Sequence, residues 1–181
     1  MYICIVCLCF VLCAGESAGN EFSGHLPSSI SCLKKLTAIR LYQNRLSGDI
    51  GQHTIFGACL PSLTHVDLSD NRLSGTLDTL MNCVKLKRLI VHHNHFKGEI
   101  PKAVSQLQDL ELLYLHDNRL TGHIPDELCL LTTHLRLVNL SNNDLGGVIP
   151  RDIGSSAALL CCAVLLYCTE WNVYLICRQF D

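Results

Sequence analysis

The sequence predicts an α/β solenoid, right-handed, with one short parallel strand per repeat and ends that do not follow the repeat. Three observations carry that expectation. Asn20, Asn44, Asn71, Asn94, Asn118 and Asn143 recur at intervals of 24, 27, 23, 24 and 25 residues. Each is followed two places later by Leu or Phe and four places later by Gly. In the last five copies apolar residues also stand eight, five and three places ahead of the Asn, as Leu110, Leu113 and Leu115 do before Asn118. Gly makes up about 7% of average sequence, so six in one register would arise by chance with a likelihood of about 10⁻⁷.

Each part of the repeat has a physical task. The apolar triplet alternates with polar residues, the period of a strand with one face in the core, and successive strands would pair about 4.8 Å apart. Asn44, Asn71, Asn94, Asn118 and Asn143 stand where the chain leaves the sheet. Their carboxamides can donate and accept at once, so they form a structural ladder against the turning backbone. The Gly permits a positive φ or a close backbone approach in the next bend. An apolar residue follows (Leu26, Ile50, Leu77, Ile100, Ile124, Ile149), then Pro27, Pro101, Pro125 and Pro150 in four copies, with Gly51 and Asp78 in the other two. Pro fixes an extended conformation and is expected to forbid a helix there.

The unit from Gly51 to Asn71 is three residues longer than 24 and carries an out-of-register Pro61, which reads as a bulged loop away from the sheet. Cys32, Cys59 and Cys83 precede their Asn by 12, 12 and 11 residues. They are expected on the return side of each turn as buried thiols acting as small hydrophobes.

The chain divides into residues 1–15, a repeat domain over 16–155 and a non-repeat hydrophobic tail over 156–181. The apolar run 2–14, with Cys13 and Gly15 at minus three and minus one of a cleavage point, reads as a secretory signal peptide. Against it stands a degenerate repeat, since the segment has no Lys or Arg and places Gly15 and Ser17 where Leu should be. Residues 157–177 are long enough to span a bilayer, which would give membrane association. However, Glu170 and Asn172 interrupt them, and the unbroken apolar part is 12 residues, a length typical of a buried helix. A membrane span, a packing helix and a non-repeat tail all stay open.

Composition excludes other classes. With 14 Lys and Arg against 16 Asp and Glu, a net charge of −2, the chain lacks the footprint of a nucleic-acid binder. Its 12 cysteines show no zinc spacing: Cys4 and Cys7 form a CxxC with no second pair and no placed His. No GxGxxG, HRD, DFG, GxSxG or HExxH motif occurs, so no catalytic residues, cofactor or metal site follow from linear motifs, and the chain is expected not to be an enzyme.

The pattern LxxLxLxxNxLxGxIP, clearest in "LELLYLHDNRLTGHIP" and "LKRLIVHHNHFKGEIP", resembles the plant-type leucine-rich repeat over about residues 20–155. The resemblance implies a second sheet from the Gly-Ile-Pro part, a concave face that holds the partner, and paired-cysteine caps, which are not recognisable in this sequence. It also implies secreted or cell-surface recognition, as in a truncated receptor ectodomain, of a peptide or protein ligand with a co-receptor as a second partner. A secreted inhibitor of a pathogen wall-degrading enzyme is the alternative, and so is a receptor-like serine/threonine kinase whose catalytic domain is absent here.

On that face the outward strand positions give the candidate ligand-binding residues: Arg40, Asp67, Ile90, Tyr114 and Asn139 four before each Asn, and Tyr42, Ser69, His92, His116 and Ser141 two before it. Tyr and Arg dominate binding hot spots, which favours Arg40, Tyr42 and Tyr114. His92 and His116 are expected about 5 Å apart in one column, with His93, Asp70 and Asp117 one column away. Asn139-Leu140-Ser141 is the N-x-S/T sequon, so Asn139 is the candidate glycosylation site.

Overall fold

The computed structural model describes residues 19–51, 56, 60–131 and 134–150, together with the backbone of 163–165 and 174–176. The expected signal peptide over 1–15 and residues 52–55 and 57–59 of the expected bulged loop lie outside the described residues. The strands in chain order are β1 Ser23–Gly24, β2 Ala38–Arg40, β3 Arg45–Asp49, β4 His65–Asp67, β5 Arg72–Gly75, β6 Arg88–Ile90 and β7 His95–Gly98. They continue as β8 Leu112–Tyr114, β9 Arg119–His123, β10 Leu137–Asn139, β11 Asp144–Gly146, β12 Ala163–Leu165 and β13 Tyr174–Ile176.

Each turn of chain supplies two strands. The odd strands β1 to β11 form one six-stranded sheet, and the even strands β2 to β12, with β13 at the end, form a seven-stranded one. All pairings are parallel except β12 with β13. The register follows the repeat, pairing Ile39 with Val66, Val66 with Leu89, and Leu113 with both Leu89 and Val138. Thus the residues five before each Asn form one inward column, and all five are 0–1% exposed. Their flanking apolar partners, the residues two after Asn and the Leu or Ile before the Pro position fill a continuous core. Burying a single Leu or Ile of this kind contributes about 1.5–3 kcal/mol, which no turn could gather alone without its neighbours.

The second sheet differs in detail from the expectation. Its strands use the residues between the ladder Asn and the repeat Gly, as in Arg72–Gly75 and His95–Gly98, and Pro lies beyond them. Pro27, Pro101 and Pro125 are themselves extended, with ψ of 137–138°, but each opens a five-residue 3-10 helix: Ser28–Cys32, Lys102–Gln106 and Asp126–Leu130. The carbonyl of Pro27 accepts from Ile30 N at 3.1 Å, and an N-cap residue needs no N–H of its own, so Pro starts the helix it was expected to forbid. Asp78–Asn82 does the same after Leu77.

The asparagine ladder bonds to backbone. Asn71 Nδ2 donates to Leu68 O, Ser69 O and, one turn earlier, Leu41 O, while its Oδ1 accepts Leu46 N at 2.9 Å. Asn94, Asn118 and Asn143 repeat that set, and Asn44 does so as far as the described residues allow.

Two corrections concern cysteines and the tail. Cys83 is buried in the core but Cys32 is exposed, and Cys59 lies outside the described residues. The inward position is the one eleven before Asn, held by Leu33, Leu60, Cys83 and Leu107; at minus twelve Cys32 faces out. In the tail, a packing helix over 157–177 is replaced at 163–165 and 174–176 by strands, since short apolar runs do not distinguish helix from strand and the open edge of β10 offers β12 backbone partners. No helix of the described residues is long and apolar enough to cross a membrane.

Candidate recognition surface

The seven-stranded sheet presents the residues four and two before each Asn on its outer face, because strand side chains alternate and the residues between are in the core. Arg40 on β2 is exposed, and Tyr42, Asp67, Ile90, Tyr114 and Asn139 are half-buried. Ser69 is not available to a ligand: it is 3% exposed, and both its N–H and its hydroxyl bond to Asp67 Oδ1, at 3.2 and 2.6 Å. Ser141 repeats this turn on Asn139 Oδ1, at 3.1 and 2.8 Å.

Between these polar turns the two middle repeats carry an aromatic patch. Ile90 and Tyr114 are register partners on β6 and β8. Beyond them the rings of His92 and His116 stack, with centroids 4.3 Å apart and planes at 17°, and Tyr114 meets His116 edge-on at 5.7 Å. The expected column pairing of the two histidines is thereby found as a ring stack.

A neighbouring column forms by a mechanism that the repeat pattern did not disclose. Gln43, Asp70, His93, Asp117 and Asn142, each immediately before a ladder Asn, have φ of 50–54°. Asp, Asn and His are the side-chain residues that adopt this left-handed conformation most readily, and that enrichment was the available signal. The conformation aligns Asp70, His93, Asp117 and Asn142 along the edge of the aromatic patch. His93 lies between the carboxylates, Nδ1 3.4 Å from Asp70 Oδ1 and Nε2 3.3 Å from Asp117 Oδ2, while Asn142 Nδ2 donates to Asp117 Oδ1 at 2.8 Å.

The electrostatics of the patch favour neutral imidazole. Burial, reinforced by the charge of His92, lowers the pKa of His116 to about 4, although Asp117 opposes the shift. Burial lowers His92 as well, against the pull of Asp70. His116 Nδ1 is buried with no hydrogen-bond partner. One ring nitrogen from each of His92, His93 and His116 lies within 4.8 Å of the others. A linear-spacing search could not find this donor set, because its members come from two turns of the solenoid.

Known proteins carry the same architecture. The sequence model of the family described as Leucine Rich Repeat matches residues 62–83, 85–107, 109–131 and 134–156, half of the chain. Receptor-like protein 32 of Arabidopsis thaliana is 34% identical over 141 residues, 78% of this chain and 14% of that protein's own length. Among solved structures, the ectodomain of the Arabidopsis receptor kinase GASSHO1/SCHENGEN3, in complex with CASPARIAN STRIP INTEGRITY FACTOR 2, superposes with a TM-score of 0.72 at 32% identity, covering 81% of this chain and 17% of that one. The ectodomain of the Arabidopsis receptor kinase HAESA, in complex with an extended IDA peptide hormone, gives a TM-score of 0.71 at 31% identity over 81% of this chain and 25% of that one.

Proposed function

Because the chain belongs to the leucine-rich repeat family, we propose that it is a secreted or cell-surface recognition module that holds a peptide or protein segment on the outer face of its seven-stranded sheet, with a co-receptor as a further partner. The single observation carrying this reading is the run of Arg40, Tyr42, Ile90 and Tyr114 on one rigid sheet face. A parallel sheet braced by a buried asparagine ladder does not rearrange on binding, so side chains on it lose little further entropy, and Tyr with Arg supplies large contact area and directed hydrogen bonds. The peptide complexes of the similar ectodomains support the same class of ligand. The reading assigns no catalytic step to these residues.

The test is selection of a displayed library of linear peptides on the immobilised chain. A Tyr42→Ala, Tyr114→Ala double variant should lose enrichment at least tenfold, whereas Lys102→Ala, on the opposite side of the turn, should retain it. Equal enrichment by the double variant, or none by the unmodified chain, overturns the reading.

A further inference from the structure

We propose that His92, His93 and His116 form a binding site for a single zinc-class transition metal ion on the outer face of the seven-stranded sheet. The geometry that points to it starts from Asp117. This carboxylate faces the Nε2 atoms of two rings, His93 at 3.3 Å and His116 at 3.8 Å. At His116, where the carboxylate stands at Nε2 alone, it favours the tautomer with the proton on that atom and leaves the lone pair on Nδ1, the arrangement by which outer carboxylates orient metal-bound histidines. His116 Nδ1 is then a buried, partnerless lone pair, unfavourable unless a cation or donor fills it. His93 Nδ1 and His92 Nδ1 share a hydrogen bond at 2.9 Å, so one of the two rings must move its proton to the far nitrogen for both to bind an ion.

Spacing and charge agree with an ion there. Two imidazole nitrogens bound to one tetrahedral zinc at about 2.05 Å stand roughly 3.3 Å apart. The three donors already lie within 4.8 Å of one another, so small ring rotations that open the His92–His116 stack bring them to ligating distance. Asp70 Oδ1, 3.4 Å from His93 Nδ1, stands ready as a fourth ligand. The surrounding Asp70 and Asp117 offset the charge of the ion. Three imidazoles with a carboxylate suit zinc, copper and nickel, and exclude calcium and magnesium, which take oxygen. Among the described residues no other His, Cys, Asp or Glu cluster meets the same criterion.

The experiment is calorimetric titration of ZnCl₂ into the full chain, free of any polyhistidine tag, at pH 7.5. One stoichiometric site is expected, and its affinity should fall at least tenfold in a His92→Gln, His116→Gln double variant. Asp117→Asn, which keeps the shape but not the charge that orients the two rings, should weaken binding about 10–100-fold. His95→Gln, on the six-stranded sheet, should change nothing. All cysteines remain in these variants, so zinc held by thiols would be insensitive to them, and unchanged zinc affinity in the double variant overturns the proposal. Cobalt substitution gives a second readout independent of variant folding: a spectrum without a thiolate charge-transfer band supports the histidine site, and a strong band defeats it.

Discussion

Leu73 donates its backbone N–H to Asn94 Oδ1 across 21 residues, at 2.9 Å, tying one turn of the solenoid to the next through a side chain. Asn94 Nδ2 meanwhile donates to Leu68 O, Val91 O and His92 O. Asn94 is 5% exposed, so water cannot replace these bonds. Asn94→Ala should therefore lower stability by about 2–4 kcal/mol, read as a fall in the urea midpoint. Asn118 makes the same set but is only half-buried, so Asn118→Ala should cost less. Equal losses would mean that burial does not set the strength of the ladder.

The repeat glycines answer a steric demand as well as a conformational one. Gly122 has φ +78°, and a Cβ there would lie 2.7 Å from Glu99 Cγ of the preceding turn. Gly146 has neither a positive φ nor a neighbour within 4 Å. Gly122→Ala should cost about 1–3 kcal/mol. Gly146→Ala should be neutral or stabilising by up to about 1 kcal/mol, since it stiffens only the unfolded chain. Thermal melts of the pair decide it, and matching melting temperatures would contradict the assignment.

Cys32 and Cys83 differ by one register position and should differ in chemistry. The exposed Cys32 should be alkylated in the folded protein by a maleimide within minutes, while the buried Cys83 should react only after denaturant is added. Peptide mapping by mass spectrometry reports both sites in one experiment.

What the sequence could and could not disclose follows from the same register arithmetic. The strand column Ile39, Val66, Leu89, Leu113, Val138 was legible because a fixed offset from Asn carries an inward side chain through every turn. The 3-10 helices are not legible because Pro27, Pro101 and Pro125 count in the sequence as helix breakers, whereas helix initiation tolerates a missing N–H. Exposure of Cys32 is hidden in the sequence because offsets of 12 and 11 from the Asn look alike there, although they lie on opposite sides of the chain. The outward strand positions were legible as one sheet face, yet Ser69 and Ser141 are spent on Asp67 and Asn139, a local turn that alternation alone does not reveal. The proximity of His92, His93 and His116 was legible from the register, whereas the left-handed backbone at His93 and the ring stack of His92 on His116 were not.

Acid should weaken the fold through His65. Burial is the main cause of its lowered pKa, aided by Arg88, Arg40 and Lys87, with Glu111 opposing; Thr64 Oγ1 lies 2.8 Å from its Nδ1. The unfolded chain then binds more protons than the folded one below pH 6.5, so stability rises with pH across that region and is lost as pH falls through it. In buffer with a chelator, the urea midpoint should drop between pH 7.5 and 5.5, and His65→Gln should flatten part of that slope. An identical slope in the variant would show that His65 keeps its ordinary affinity for protons.

Asn139 provides a test of the secretory reading. Among the described residues its Oδ1 accepts both bonds from Ser141, and no hydrogen bond is found at Nδ2, the atom to which a glycan is joined. Asn139 is half-buried on β10, on the same sheet face as its register partner Tyr114, so a glycan there can project outward without opening the core. Protein produced through a eukaryotic secretory route should carry an endoglycosidase-sensitive mass at this residue. Asn139→Asp should remove that mass and leave the fold unchanged, because Asp67 already plays the acceptor role for Ser69 in an equivalent turn. Ser141→Ala should abolish the glycan too, but it also breaks the turn and should cost about 1 kcal/mol, so the aspartate variant separates modification from stability. Secreted protein with no added mass at Asn139 would refute the availability of Nδ2 on this face.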